Sequence, residues 1–580
     1  MFKKNTRHLQ LPLTSHIDEL PEKYQERLKN SWAGIFYSEY FINLDEKPFS
    51  VLYADIPSRP NVPVNVLVSL EALKSENDWT DEEMMDHFNY DIQLRYALGY
   101  RRLGEGDFGM RTIYYFRERL SRYHQETGVN LINQAFEQVS DVQIEKYKVK
   151  TNLLRKDSTQ VMSNIQKVGR VQLLVEVLQR VHRILTEEEK ERYEEEYAPY
   201  LKGHAGQFVY RMKKNEIEGK LEQIGILIQR LLDDLKPEHG DEPAYKILER
   251  VFREHYEVEQ SKTDTKERSI IAKPNDKLSA SSMQSPDDLE ATYREKRGKK
   301  YYGYVTSVTE TCNPKNNLQL ITSIQTAPNN TDDSKLLMEA LPNLKERTEL
   351  ATIITDAAYA SSDTDELVQE LGITHIQTAI RGRKPDPNKL HLSEFEIKLD
   401  DDQKPIEITC PQGQMVSVEI SKQKKAFVAH FSAEQCDSCP MVDHCPAQKG
   451  KRDQRYHLRI TKEKALAAIR QRLSLQFLQE GRNLRAAVES TVKSIRKPLS
   501  GGKLGVRGLF RVSCMMIGPA VMTNVRRIKR YLESPESKNE IDKTEKACQD
   551  TTFLSFFRFG IIQYMVSWLS LNRIYCFVNL

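Results

Sequence analysis

Three carboxylates and four thiols stand out in this chain of 580 residues. Asp157 lies in VKTNLLRKDST and Asp356 in ATIITDAAY; each follows a run of apolar or β-branched residues and precedes small or polar ones. That pattern predicts two strands that deliver their acids into a crevice at the strand ends of an open α/β sheet. Two carboxylates set side by side repel, unless a cation neutralises them. Mg2+ suits the place because it takes a few carboxylates together with water and substrate phosphate. Read singly, either Asp also fits a helix cap or a turn. A third acid, Glu489, lies in EGRNLRAAVESTVKSIRKPL. Helical spacing there puts Arg482, Arg485, Glu489, Lys493 and Arg496 on one stripe, beside an apolar stripe of Leu484, Val488, Val492 and Ile495 that would seat the helix on a sheet. One acid among cations also describes an ordinary salt-bridged surface.

From Ser490 to Tyr531 there is no Asp or Glu, yet there are ten cations: Lys493, Arg496, Lys497, Lys503, Arg507, Arg511, Arg526, Arg527, Lys529 and Arg530. A one-sign run of that length fits a surface that meets phosphates, with a solvated face as the alternative. The glycines of SGGKLGVRGLF would let the backbone come close. The thiols are Cys436 and Cys439 of CDSCP, Cys445 six residues on, and Cys410 heading CPQG 26 residues earlier. Four thiolates among Pro and Gly turns fit a closed, structural zinc site. His444 is a substitute ligand for Cys445, and four reduced thiols in loops are the alternative. Cys312, Cys514, Cys548 and Cys576 have no such company. Eight Cys in 580 residues are too few for a disulfide scaffold and point to a reduced compartment.

The length exceeds one ordinary core and predicts three or four domains. Charged residues are 29%, apolar residues 39%, and mean hydropathy is −0.61, so the chain reads as soluble and charge-rich. Lys+Arg is 86 against Asp+Glu at 83, a net +3, so a nucleic-acid partner would have to be met by a local patch. The basic start MFKKNTRHLQLPLTSHIDEL has no apolar run behind it and reads as no signal peptide. The apolar stretch from Phe559 to Asn572 is 14 residues, short of the roughly 20 a bilayer span needs, and reads as an interaction segment with no membrane role.

The elements that must position the acids follow in order. Residues 1–145 read as helical, with a capping box from Thr80 to Glu83, an apolar stripe of Ile113, Phe116 and Leu120, and breaks at Gly104, Gly106 and Gly109. This is a helical bundle or, more specifically, an end-binding or dimerisation domain. After the Asp157 strand comes a helical insertion with two apolar faces: Val171, Leu174, Val175, Leu178, Val181 and Leu185, then Leu221, Ile224, Ile228, Leu231 and Leu235. The acidic run EEEKERYEEE reads as a solvated face and PNDKLSASSMQSPDD as a linker. YYGYVTSVTET and NLQLITSIQTA alternate as a hairpin turned by NPKNN, and an amphipathic helix around Leu336–Leu344 leads to the Asp356 strand. That order predicts an α/β core around a mixed sheet.

Several separate blocks, in order, resemble the DDE transposases of bacterial insertion sequences, closest to the branch with a zinc-ribbon insertion. RKDSTQVMSN resembles the first-Asp block, and SPDDLEATYREKRGKKYYGY the block opening the next strand. TDAAY resembles the second-Asp block, with its Asp-x-x-Tyr. PVNVLVSLEALKSENDWTDEEMMDHFNYDIQLRYALGY resembles the helical N-terminal domain. In the Glu block, Tyr-x2-Arg-x3-Glu-x6-Lys, Arg485, Glu489 and Arg496 fall in register, with Arg482 replacing Tyr and Arg496 replacing Lys. The resemblance covers roughly residues 15–535. It implies an RNase H-like mixed-sheet core in which Asp157, Asp356 and Glu489 hold two divalent metals, Mg2+ or Mn2+, for strand cleavage and transfer at the element's ends. It further implies phosphate contacts from Arg485, Lys493, Arg496, Lys497, Lys503 and Arg507, with Tyr293, Arg294 and Lys296 as weaker ones. Partners would be duplex DNA (the terminal inverted repeats and the target) and a second copy of the chain, in the cytoplasm and at the nucleoid. The domains would be 1–145 (helical), 146–165 (first core strand), 166–297 (helical insertion and linker), 298–380 (core), 381–455 (zinc ribbon), 456–532 (core helices) and 533–580 (tail). The alternative is a catalytically inactive, transposase-derived DNA-binding protein.

Overall fold

The computed structural model describes residues 1–10, 14–56, 59–166, 168–210, 212–260, 268–296, 298–378, 386, 388–421, 426–479, 484 and 486–535. Arg482, Arg485 and the Phe559–Asn572 stretch lie outside them.

The helical spacing of the first 146 residues produces seven helices: α1 (Glu22–Lys29), α2 (Trp32–Phe36), α3 (Val64–Asn77), α4 (Asp81–Tyr90), α5 (Ile92–Ala97), α6 (Met110–Thr127) and α7 (Leu131–Lys146). The capping box is present at α4: the Thr80 hydroxyl accepts from the Glu83 amide at 3.1 Å, and the Glu83 carboxylate accepts from the Thr80 amide at 2.7 Å. Ile113, Phe116 and Leu120 of α6 are buried.

The long strand β1 (Leu153–Met162) follows, then the helical insertion: α8 (Arg170–His182), α9 (Glu187–Arg192), α10 (Glu194–Tyr197), α11 (Ala205–Tyr210), α12 (Ile217–His239) and α13 (Pro243–His255), closed by the hairpin β2 (Tyr256–Gln260) and β3 (Arg268–Ala272). Both apolar faces read from the sequence enter one core. The acidic run is largely solvated, but Tyr193 and Glu189 within it are buried, and Glu189 pairs with Thr186 and His239. The segment read as a linker is packed instead. Met283 is buried, and the buried Asp288 carboxylate accepts from the Tyr304 hydroxyl and the Gly508 amide.

The remaining core elements are β4 (Thr292–Lys296), β5 (Lys299–Thr311), β6 (Ile321–Pro328), α14 (Asp333–Arg347), β7 (Thr352–Thr355), α15 (Ser362–Glu370) and β8 (Thr374–Gln377). The sheet order is β6-β5-β1-β7-β8, with β4 also pairing β5; β1, β7 and β8 are parallel, and β5 is antiparallel to β1 and β6. This is a mixed α/β sheet. Between β8 and the next core helix runs a second, six-stranded antiparallel sheet: β9 (Glu396–Leu399), β10 (Pro405–Thr409), β11 (Met415–Ile420), β12 (Phe427–Phe431), β13 (Gln448–Lys449) and β14 (Tyr456–Ile460), with the short α16 (Ala433–Asp437) after β12. The chain then returns through α17 (Lys462–Gln479), α18 (Ala486–Arg496) and α19 (Leu509–Glu533).

Leu154, Ile353, Leu337, Leu341 and Val368 pack together, so α14 and α15 cover one sheet face. On the other face Ile354 and Ile376 meet Phe477 and Leu484, and Val161 shares a core with Ile495. α19 ties this layer to the N-terminal helices. A Cβ at Gly518 would sit 2.2 Å from the Ala72 carbonyl oxygen of α3, so the close approach of the two helices requires glycine there. Among the described residues no helix is long and apolar enough to cross a membrane.

Candidate active site and metal positions

Side chains alternate along a strand, so Asp157 shares a face with Arg155, and Asp356 shares one with Ile354. The parallel register pairs Arg155 with Ile354. Two residues further on, the chain reaches Asp157 within β1 and Asp356 just past the end of β7, toward the face that α17 and α18 cover. Asp157 does not end its strand, as the polar residues after it suggested. β1 continues to Met162 because β5 pairs with it throughout, down to Gly303 opposite Met162. The strand that stops is β7, which ends at Thr355, one residue before Asp356. Asp157 is buried and Asp356 half-buried. One Asp356 oxygen caps the following turn, accepting from the Ala358 amide at 2.8 Å. The cap reading therefore holds for that oxygen.

Glu489 reaches this face on α18. Val488 and Ile495 are fully buried, and Val492 is half-buried. Thr491, which the apolar stripe omitted, is buried and donates to the Glu310 carboxylate at 2.8 Å. Glu310 also pairs with Arg155 at 2.6 Å and with Arg527 at 2.8 Å. Arg155 lies two residues before Asp157, and Thr491 two residues after Glu489. This buried clamp therefore fixes the helix of one acid to the strand of the other. A residue next to Val488 is turned by about 100° from it, which leaves Glu489 exposed on the helix flank with Lys493 and Arg496.

The acids are not drawn into one tight cluster. Among the described residues, groups of three potential ligands within 4.8 Å of one another are His430–Asp453–His457 and Glu189–Glu238–His239.

Beneath the acids, on the opposite face of β1, lie Lys156, which the sequence did not single out, and Tyr359, the Tyr of the Asp-x-x-Tyr block. Lys156 is completely buried, with Thr309 at 3.3 Å and Gln325 at 3.2 Å. Burial pulls its ammonium pKa down to about 7. The buried Tyr359 hydroxyl lies 3.3 Å from the Ser307 hydroxyl, which donates to the Asp157 carbonyl. Burial drives the phenol pKa far above its usual range. Tyr359 thus links the turn after Asp356 to the strand of Asp157.

The basic run looks different in space. Arg527 is inside the clamp, Arg526 pairs with Glu76, Arg507 with Asp287 at 3.1 Å, and Lys529 with Glu533. Lys503 donates to the Ile165 carbonyl at 3.4 Å. Lys493, Arg496 and Lys497 are exposed. Arg294 turns inward to the Asn329 carbonyl and Asp333.

The four cysteines sit at one end of the second sheet. Cys410 follows β10, and Cys436, Cys439 and Cys445 lie between β12 and β13. All four are half-buried. Burial, then the neighbouring Cys445, Cys410 and Cys439, push the Cys436 thiol up to about 11, so the four converge. The turns are tight, with the Cys439 amide donating to the Cys436 carbonyl at 3.1 Å and the Gly413 amide to the Cys410 carbonyl at 2.9 Å. The ribbon reading missed the His pair in the same sheet: His430 and His457 face each other across β12 and β14, Nδ1 to Nδ1 at 2.7 Å.

In comparison with known proteins, residues 409–529 match a family model described as "Transposase DDE domain". The match runs from the end of β10 into α19 and includes Glu489, all four cysteines and most of the basic run. Asp157 and Asp356 lie outside it. No curated protein and no solved structure matches the chain. Over roughly a fifth of the chain, the match supports a DDE transposase, and with it an enzyme of the nuclease and transposase kind that binds DNA.

Proposed function

We propose that the protein is an insertion-sequence transposase in which Asp157, Asp356 and Glu489 hold two Mg2+ or Mn2+ ions and carry out strand cleavage and strand transfer at the element's ends. The observation that supports this is the parallel register of β1 and β7, which carries the chain to Asp157 in β1 and to Asp356 just after β7, beside α18, the helix of Glu489. The mixed sheet with helices on both faces supports an RNase H-like core. The donor set fits the ions: all three ligands offer hard carboxylate oxygens. When bound, such ions supply charge neutralisation at the attacking and leaving oxygens. The protein's own part is positioning. The Arg155–Glu310–Thr491 clamp sets helix against strand, Tyr359 sets Asp356 against Asp157, and Lys493 and Arg496 on the Glu489 flank hold phosphate, joined by Arg485.

The cysteines fit structural zinc, since four half-buried thiols converge at tight turns and make the donor set of a closed tetrahedral site. Cys439→Ser would then lower zinc content and thermal stability together. Duplex DNA, both element ends and target, is the partner, and a homodimer would bring two ends together at the nucleoid. The test is nicking of labelled element-end duplex by the full chain. Cleavage should need added Mg2+ or Mn2+ and stop with EDTA; cleavage unaffected by EDTA would contradict the reading.

A further inference from the structure

The second sheet carries donors that the four cysteines do not use. Alternation along β12 and β14 buries Ala429 and Phe431 with Tyr456 and Leu458 in one core, against which Cys410, Cys436 and Cys445 pack. His430 and His457, the intervening residues, therefore project from the opposite face. They stand directly across from each other in the antiparallel register, Nδ1 to Nδ1 at 2.7 Å. The turn from β13 into β14 supplies a third donor. The Gly450 amide closes that turn on the Arg455 carbonyl at 2.7 Å. Asp453 is thereby brought back onto its own strand, where its carboxylate lies 2.9 Å from His457 Nε2.

These three side chains each offer one ligand atom, and the atoms lie within 4.8 Å of one another. The backbone is shaped around them. A Cβ at Gly450 would collide with both the Asp453 carboxylate and His457 Nε2, so only glycine leaves the donors room to converge. The outer nitrogen of His430, Nε2, stands 3.6 Å from the Glu419 carboxylate, the kind of partner that orients a ligating imidazole. The two imidazoles are 25% and 17% exposed, so an ion can reach them from solvent. Donors bound tetrahedrally at about 2.0–2.1 Å stand about 3.3 Å apart. Contacts of 2.7 and 2.9 Å need open by only about half an ångström to admit such an ion.

We infer that His430, Asp453 and His457 form a metal site of their own, separate from the cysteines and from the acid site, that takes Zn2+ with its fourth position open to water. Two imidazoles select a borderline transition ion over Mg2+, which prefers oxygen donors. The ion staples β12, β14 and the 450–455 turn together. The group Glu189–Glu238–His239 is less free to do the same, because the Glu189 carboxylate already accepts from the Thr186 amide and hydroxyl.

The test uses the full-length chain, stripped with a chelator and dialysed against a series of Zn2+ concentrations. Excess Mg2+ keeps Zn2+ from the carboxylates of the acid site. Zinc per chain is read by mass spectrometry for wild type, His430→Gln/His457→Gln, Asp453→Asn and Cys439→Ser, and thermal melts establish that each is folded. The His variant should hold about one Zn2+ fewer than wild type. Asp453→Asn, which keeps the size of the side chain, should hold that ion about tenfold more weakly. Cys439→Ser should keep it, which tells a failure of the cysteine site from a failure of this one. Equal zinc content and affinity in wild type, the His variant and Asp453→Asn would overturn the inference and leave an imidazole pair that shares a proton. A single Zn2+ in wild type, lost in both the His variant and Cys439→Ser, would overturn it as well. Zinc is counted without DNA, so neither result touches the transposase reading.

Discussion

Two regions of this chain are rich in Lys and Arg, and they meet opposite fates. Between Ser490 and Tyr531 the cations are unrelieved by any acid in sequence, but acids arrive from far away for part of the run, Glu76 for Arg526, Glu310 for Arg527 and Asp287 for Arg507, while Lys493, Arg496 and Lys497 stay exposed. The cations that line a groove of the N-terminal helices, Lys3, Lys4, Arg7, Arg59 and Arg119, are scattered in sequence, and among the described residues no carboxylate forms an ion pair with them. Charge counted along a chain therefore says little about the field a partner meets, because folding redistributes the counter-charges.

The largest effect expected from this contrast is at Arg527. Its head is 16% exposed and pairs with a fully buried Glu310, so Arg527→Ala should cost about 3 kcal/mol in a urea titration, because it leaves a buried charge half-satisfied. The unchanged DNA affinity of the folded fraction would show that Arg527 serves the fold and not the DNA. A cost below about 0.5 kcal/mol would mean that the run is not internal.

Lys156 sharpens the same contrast, as a cation with no solvent at all. Its folded pKa, about 7, is below its usual 10.5, so the unfolded chain binds more protons between those values. Stability from this residue is full above the unfolded pKa and is lost as pH falls towards 7, by up to about 1.4 kcal/mol per pH unit. In Lys156→Met the rise in stability from pH 7 to 9 should flatten. An unchanged pH profile would place the charge elsewhere.

The smallest effect is at Lys493, one of the run's exposed members. Lys493→Ala should leave stability within about 0.5 kcal/mol and reduce the salt slope of DNA binding by about 0.9. A destabilised Lys493→Ala would mean that the contrast between paired and exposed cations is drawn in the wrong place.

Much of the architecture was legible because apolar spacing dictates it. The Thr80–Glu83 cap, the Ile113–Phe116–Leu120 stripe, both faces of the insertion and the hairpin turned by NPKNN fold as their local patterns require. The acids were legible as strand-borne residues, but the end of Asp157's strand was not, since only pairing with β5 carries the chain on to Met162. The clamp was invisible for a related reason. Arg155 and Arg527 look like any strand or helix cation until Glu310, distant in sequence from both, comes between them. The second sheet grew from a predicted ribbon to six strands because its short strands alternate weakly, and β8, only four residues long, carried too little pattern to be seen.

The central claim is that Asp157, Asp356 and Glu489 form one metal-dependent cleavage site. Glu489 is the acid whose side chain is most exposed, so replacing it disturbs the core least. Wild type and Glu489→Gln should bind an element-end duplex equally well, and in Mg2+ only the wild type should nick it. Equal nicking by both, from folded protein, would contradict the assignment of Glu489 to the site.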